Sequence, residues 1–370
     1  MKLSYLIFAL SLLFIVSCGN DESVPERKFY MGFTPFPWDI SLEAVNQTYD
    51  NILRYGDIVN HHFDNGVPWV EADNGLPFSD NIMNDFNFRK TNTPAEKKVI
   101  VSVAALNGDR NGMARYRGTS DAMDLPSPWD TYTFADTKVR VAYLNYCKRV
   151  IDFFEPDYFN MNVEANLFHF IKPESWEGFL GFHEYVYNEL KAAYPNLTIF
   201  CSITGAHILE GYFPGKDVNK EKNAALALLE DSDLYAISFY PYMSSYLCNP
   251  YPPDSFTKLF ALSSLPIAIA ETGYPAQSFE IKIDGVPVTM EGDANKQKDF
   301  FTDMLNACSK RETAFVISFT FRDYDQLWAD LGSVDDISTA WRDTGFLDEN
   351  GTARPALEVW KNFFERPYSN

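Results

Sequence analysis

Two acidic residues in this chain stand where a fold has no structural use for a charge. Glu271 ends the run Pro266-Ile267-Ala268-Ile269-Ala270-Glu271, and Thr272-Gly273-Tyr274-Pro275 follow at once. The run is too short for a helix and apolar throughout. It reads as a strand buried on both faces, as in a parallel sheet. Tyr158-Phe159-Asn160-Met161-Asn162-Val163-Glu164-Ala165-Asn166 is a second strand-like run, and it carries Glu164 at its end. Two carboxylates facing each other across a cleft can divide the cleavage of a glycosidic bond. One attacks while the other protonates the leaving oxygen. The competing reading makes both acids buried ion-pair partners of Arg or Lys.

The elements that would position them follow a repeating rhythm. Glu164 and Glu271 lie 107 positions apart (271 minus 164). At roughly 30 residues or more per βα unit, that is three units. The acids would then end the fourth and seventh strands of a single-domain (β/α)8 TIM barrel, at the face where such barrels carry their chemistry. Strands are predicted at 28–34, 57–59, 98–106, 158–166, 197–203, 234–239, 266–271 and 314–321. Helices are predicted at 41–55, 137–154, 175–194, 219–230 and 295–309, with a last helix opening at Arg354-Pro355-Ala356. Residues 64–96 read as loop with one helical turn, and 107–136 as a long polar loop walling the cleft. Alternation around Asp284-Gly285 predicts a hairpin inserted after the seventh strand, rimming the cleft beside Glu271.

On these residues the chain resembles the clan of retaining (β/α)8 glycoside hydrolases, and most of all its endo-β-1,4-galactanase family. Glu271-Thr272-Gly273-Tyr274-Pro275 is similar to that family's nucleophile segment. Ser238-Phe239-Tyr240-Pro241 is similar to its sixth strand. Trp341-Arg342-Asp343-Thr344-Gly345 through Arg354-Pro355-Ala356 and Trp360 is similar to its closing segment. The resemblance covers the C-terminal half and fades before residue 150. It implies Glu271 as nucleophile, Glu164 as acid/base and a polysaccharide such as galactan or arabinogalactan as substrate. Tyr240 would donate a hydrogen bond to the ionised nucleophile.

Two departures stand out. The clan has Asn directly before the acid/base, where this chain has Val163. It has Arg at the end of the second strand, where this chain has Asn60-His61-His62. Neighbouring His side chains on a strand point to opposite faces, so only His62 or His61 can face the cleft. His62 is taken as a substrate contact, with a solvated or core His as its alternative. Asn166 is either a sugar contact or a helix cap. Trp38, Trp69, Trp129, Trp328 and Trp341 each follow a predicted strand and are candidates for stacking on sugar rings, foremost Trp38, Trp129 and Trp328. Trp176 and Trp360 fall in helices and read as packing. These departures keep a second reading open, a surface glycan-binding lipoprotein on a degenerate hydrolase barrel.

The net charge of −20 opposes binding to nucleic acid or to an anionic membrane surface. No nucleotide loop, Ser-His-Asp arrangement or metal cluster stands out, so no cofactor or metal is expected. A monomer with a carbohydrate substrate is expected. Residues 1–18 combine Lys2, an apolar stretch and Ile15-Val16-Ser17-Cys18. That box resembles a lipoprotein signal in which Cys18 is lipidated, with an ordinary signal peptide as the alternative. Residues 19–27 then form a polar tether and 28–370 the barrel. The membrane would be met through the anchor only, at the outer membrane or surface of a Gram-negative bacterium. Of the remaining cysteines, Cys147 and Cys201 lie in apolar runs and read as buried thiols.

Overall fold

The computed structural model describes residues 25–213, 215–244, 251–283, 286–332 and 338–369. Eight parallel strands close a barrel: β1 (Tyr30–Phe33), β2 (Ile58–Phe63), β3 (Lys98–Val103), β4 (Tyr158–Asn162), β5 (Thr198–Thr204), β6 (Tyr235–Phe239), β7 (Ile267–Thr272) and, beyond the antiparallel hairpin β8 (Gln277–Ile283) and β9 (Val286–Asp293), β10 (Thr313–Ser318). Pairing of β1 with β10 completes the ring. Helices fill the crossovers, so the fold is the (β/α)8 barrel that the apolar runs and their spacing imply.

The strand sequences set the interior in storeys. Inward positions near the N-terminal ends are apolar: Ile58, Ile100, Phe200, Ala236, Ala268 and Phe315 plug the barrel. One pleat further along, Asn60, Ser102, Asn160, Ser202 and Ser238 form a buried polar layer. Most of its members are hydrogen-bonded, Ser238 Oγ being the one without a partner among the described residues. Ser102 Oγ donates to Asn60 Oδ1 at 2.9 Å, Asn60 Nδ2 to Thr34 Oγ1 at 3.1 Å, and Asn160 Nδ2 to Ser202 Oγ at 3.3 Å. Such pairing is what makes polar atoms tolerable there. The next pleat opens on a cavity. Outward positions such as Val101, Phe159, Ile237 and Ile269 pack beneath the helices in one continuous core.

Three local expectations are corrected. Residues 64–96 hold two helices, Trp69–Asn74 and Asp80–Asn92, not a loop with one turn. The second is rich in Asn and Asp, which favour turns over helices in isolation. It is held by burial of Ile82 and Phe86 and by the Asp85–Arg89 pair one turn apart. β2 runs through His62 to Phe63, well past its predicted end at Val59. The hairpin exists, but its tip at Asp284-Gly285 lies outside the described residues, and its strands supply no wall of the cavity described below.

The closing segment is tied to the end of β10. Arg354 grips Asp323 with both terminal nitrogens, at 2.8 and 2.6 Å, and Gly345 N donates to Asp323 Oδ1 at 2.9 Å. Gln297 Nε2 donates to the carbonyls of Tyr274, Thr344 and Gly345. Cys147, Cys201 and Cys308 are buried free thiols. Cys18 and Cys248 lie outside the described residues, and among the described residues no helix is long and apolar enough to cross a membrane.

Asp323 is fully buried and Arg354 nearly so. Arg354→Met should therefore leave an unpaired buried carboxylate and cost about 3–5 kcal/mol in urea unfolding. Asp323→Leu combined with Arg354→Met should recover most of that loss. Equal instability of the single and double variants would locate the effect in packing instead.

Candidate active site

β2, β4, β6 and β7 each deliver one side chain to a cavity of about 450 Å³ at the C-terminal mouth of the barrel. The lining includes His62, Asp64, Arg110, Glu164, Tyr240, Glu271 and Trp341, with Pro35, Phe36, Arg89 and Phe319 at its sides. A larger cavity of about 700 Å³ opens at the other mouth, among Lys28, Tyr30, Arg311 and Tyr368, and holds neither Glu164 nor Glu271.

Two backbone irregularities aim the carboxylates. On β7, Ile237 pairs with Ile269 but Ser238 pairs with Glu271, so Ala270 is an extra residue. Ile267 and Ile269 face the outer core. Regular alternation would send Glu271 outward with them; the bulge turns it into the cavity. Glu164 instead sits at φ +52, a conformation that non-glycine residues adopt only when held. Its N–H donates to Ser202 Oγ at 3.0 Å, and Ala165 N to Ser202 O at 2.9 Å. Gly273 answers a third demand. A Cβ there would lie 2.5 Å from Phe319 O, so only glycine lets the end of β7 pass β10.

Tyr240 Oη donates to Glu271 Oε1 at 2.6 Å. Burial and the adjacent Glu271 hold the phenol proton on well above its ordinary pKa. Burial pushes Glu271 up to about 7, and the charge of Glu164 adds to this, while Tyr240 and Arg110 pull down. Glu164 is also raised by burial, with Arg110 opposing and Asp64 adding. Burial favours the protonated form of both groups and they repel each other, so they titrate as a coupled pair. His62 Nδ1 lies 3.8 Å from Glu271 Oε2. Burial lowers the imidazole to about 4, so this contact is not an ion pair near neutral pH. His61 points the other way, into the outer core against Phe154, and Thr93 Oγ1 bonds its Nε2 at 3.1 Å.

Asp64 and Arg110 were missed by sequence reasoning. Arg110 Nη1 and Nη2 each reach a different oxygen of Asp64 at 3.0 Å, and Nη2 is 3.7 Å from Glu164 Oε2. Arg110 is 5% exposed, with φ +53. The cation of the site thus comes from the long loop after β3, while the end of β2 carries His62. The loop's path, which no periodicity encodes, puts it there.

Four expected site residues therefore meet: Glu164, Glu271, His62 and Tyr240. Trp341 joins them, its Nε1 buried without an acceptor among the described residues. The others do not reach the cavity. Trp129 is buried and stacks on Trp69 at 5.7 Å, and Trp69 Nε1 donates to Ala114 O, so both rings belong to the core. Asn166 holds the N-cap position of the short helix Leu167–Ile171 without a side-chain capping bond and does not line the cavity; its amide accepts from Thr204 N and donates to Thr204 O, clamping the end of β4 to β5. Trp38 is covered by Arg322 at 3.9 Å, and Trp328 is held by Ser338 and Arg342. Val163 is buried and offers nothing to a ligand. One carboxylate oxygen each of Asp323, Asp325 and Glu349 lie within 4.8 Å of one another. Arg354 and Arg342 already pair with two of them.

No protein-family profile and no curated protein matches the chain. Solved structures do. A GH5_18 protein from Streptomyces cattleya, in complex with GlcNAc, aligns over 92% of this chain and 80% of its own, at TM-score 0.60 and 14% identity. Xylanase 10B from Thermotoga maritima covers 91% and 95%, at TM-score 0.57 and 15% identity. Fungal β-1,4-galactanases cover 85% and 89%, at TM-score 0.54 and 13% identity. These neighbours are a GH5_18 protein, a xylanase and galactanases, so galactanases are one kind among several. At such identities the likeness establishes the fold.

The carboxylate geometry has a thermodynamic signature. Glu271 titrates near 7 in the folded chain against an ordinary 4.5. Folding then holds more protons than unfolding between those values, so stability falls as pH rises through that window and is level above it. Glu271→Gln should remove this loss and be more stable than the parent at pH 8, by up to about 3 kcal/mol, with little difference at pH 4. Urea unfolding at both pH values checks it; equal stabilities at pH 8 would refute the elevated pKa.

Proposed function

We propose that the protein is a retaining glycoside hydrolase acting on a polysaccharide, with Glu271 as nucleophile and Glu164 as acid/base. The observation that carries this reading is the convergence of both acids, from β4 and β7, on one cavity with Tyr240 bonded to Glu271. The productive form has the pair's proton on Glu164 and Glu271 ionised. Tyr240 favours that form. Arg110, beside Glu164, opposes it. The arrangement suits a double displacement, in which Glu164 first donates a proton to the leaving oxygen as Glu271 attacks and then takes one from the water that releases the sugar.

Galactan or arabinogalactan is the first substrate to test, on the resemblance of the C-terminal segments. The second reading, a glycan-binding protein on a hydrolase barrel, is favoured by the buried Val163 at the position where the clan has Asn. The signal-like leader supports anchoring through a lipid on Cys18, at the outer membrane or cell surface. Mass spectrometry of membrane-extracted protein should find an acylated N-terminus at Cys18, and a different, unacylated N-terminus would remove the anchor.

Glu271→Gln should abolish turnover of every glycoside while keeping the fold. Glu164→Ala should lose about 10²–10⁴-fold on natural linkages but spare aryl glycosides with good leaving groups, which need no acid. Azide should restore the second variant by entering the space beside the glycosyl-enzyme, and NMR should show the starting anomeric configuration in the product. A glycosyl azide of retained configuration from the Glu271 variant instead would exchange the two roles, and an inverted product from the wild type would sink the mechanism. A wild type that binds glycans and cleaves none would favour the binding-protein reading.

A further inference from the structure

The cavity does not end at the carboxylates. Past Pro35 and Arg89, which line both spaces, it continues into a smaller depression of about 140 Å³ between the loop after β1, the helix at 42–55 and the helix at 80–92. Arg89 is fixed in three ways. Its Nε donates to Asp85 Oδ1 at 2.7 Å, its guanidinium lies 4.5 Å from the centre of the Phe63 ring, and its side chain is only 21% exposed. Among the described residues, no acceptor meets its two terminal nitrogens. Tyr49, from the facing helix, also lines the depression, and its hydroxyl has no partner there. Burial raises that phenol to about 12, so it stays a donor. Phe88, 42% exposed, stands edge-on to Tyr49 at 6.1 Å and offers an aromatic face at the rim.

This is an arrangement of donors. The carboxylate that lines it is engaged: Asp85 holds Arg89 with one oxygen and Arg117 with the other at 2.7 Å, while Thr48 Oγ1 donates to Ala44 O. A neutral sugar needs acceptors as well as donors for its hydroxyls. A guanidinium with two open nitrogens, a phenol and an aromatic edge suit a ring that presents an acceptor-only group. We propose that this depression is a second sugar subsite and that it takes a uronic acid, its carboxylate held by Arg89 and Tyr49 and its ring laid against Phe88. The proposal rests on the carbohydrate reading of the neighbouring cavity. It concerns one acidic unit in an otherwise neutral glycan, because a net charge of −20 repels a uniformly anionic polymer.

The test is binding, which is independent of turnover. The full chain carrying Glu271→Gln is titrated with D-glucuronate, D-galacturonate, D-glucose and D-galactose by ligand-observed NMR. At least one uronate should bind more tightly than its neutral counterpart, and added salt should weaken it. Arg89→Gln should weaken that uronate roughly tenfold or more, the scale of one charge-assisted hydrogen bond, and leave the neutral sugars unchanged. Arg89 also braces its helix, so Tyr49→Phe serves as the second variant, with a smaller loss confined to the uronate. Equal binding of acid and neutral sugars, uronate binding indifferent to both substitutions, or no uronate binding at all would each overturn the proposal. Cleavage of neutral glycans without uronate binding would defeat the subsite and spare the hydrolase. Uronate binding without cleavage of any glycan would do the reverse.

Discussion

The demand that shapes this structure is the burial of two like charges within reach of each other at the top of a packed barrel. A buried carboxylate is unstable as an anion, and a second one beside it makes matters worse. The interior answers in stages. An apolar plug fills the lower barrel, and a layer of Asn and Ser, most of it hydrogen-bonded, separates it from the acids. Tyr240 and Arg110 then provide opposing local stabilisation, one to each carboxylate. The polar layer matters because acids set directly on the plug would lose their anchors: Ser202 holds the backbone of Glu164 from below.

The same demand explains where the backbone departs from regular form. A strand that alternates cleanly cannot place Ile269 in the outer core and Glu271 in the cavity, since both have the same parity. The bulge at Ala270 resolves this by adding one residue. Glu164 and Arg110 both occupy left-handed backbone, and they face each other in the cavity. Of the non-glycine residues at positive φ among those described, two of four are thus at the site, where local strain is held by surrounding structure.

Much of this was legible in the chain, for reasons tied to particular residues. Ile58, Asn60 and His62 share a parity and pass from apolar to polar to reactive, which is the interior read along one strand. Glu271 was legible because a charge closing an all-apolar strand has few structural uses. What could not be read depends on chain paths between elements. Arg110 lies in a stretch whose only local message is that it is a loop. Trp129 follows a strand in sequence, yet its loop folds it back onto Trp69. The helix at 80–92 has poor intrinsic propensity and exists because Ile82 and Phe86 find the core.

The path of the loop after β3 also changes how the site should be compared with its structural neighbours. His62 near Glu271 is neutral, and Tyr240 is the donor bonded to Glu271. The guanidinium of Arg110 stands beside Glu164 instead, clamped by Asp64. A clamped guanidinium cannot follow Glu164 as its charge changes, so its pull favours whichever form has the anion there. The charge balance between the two acids is thus set by one loop residue rather than by the barrel.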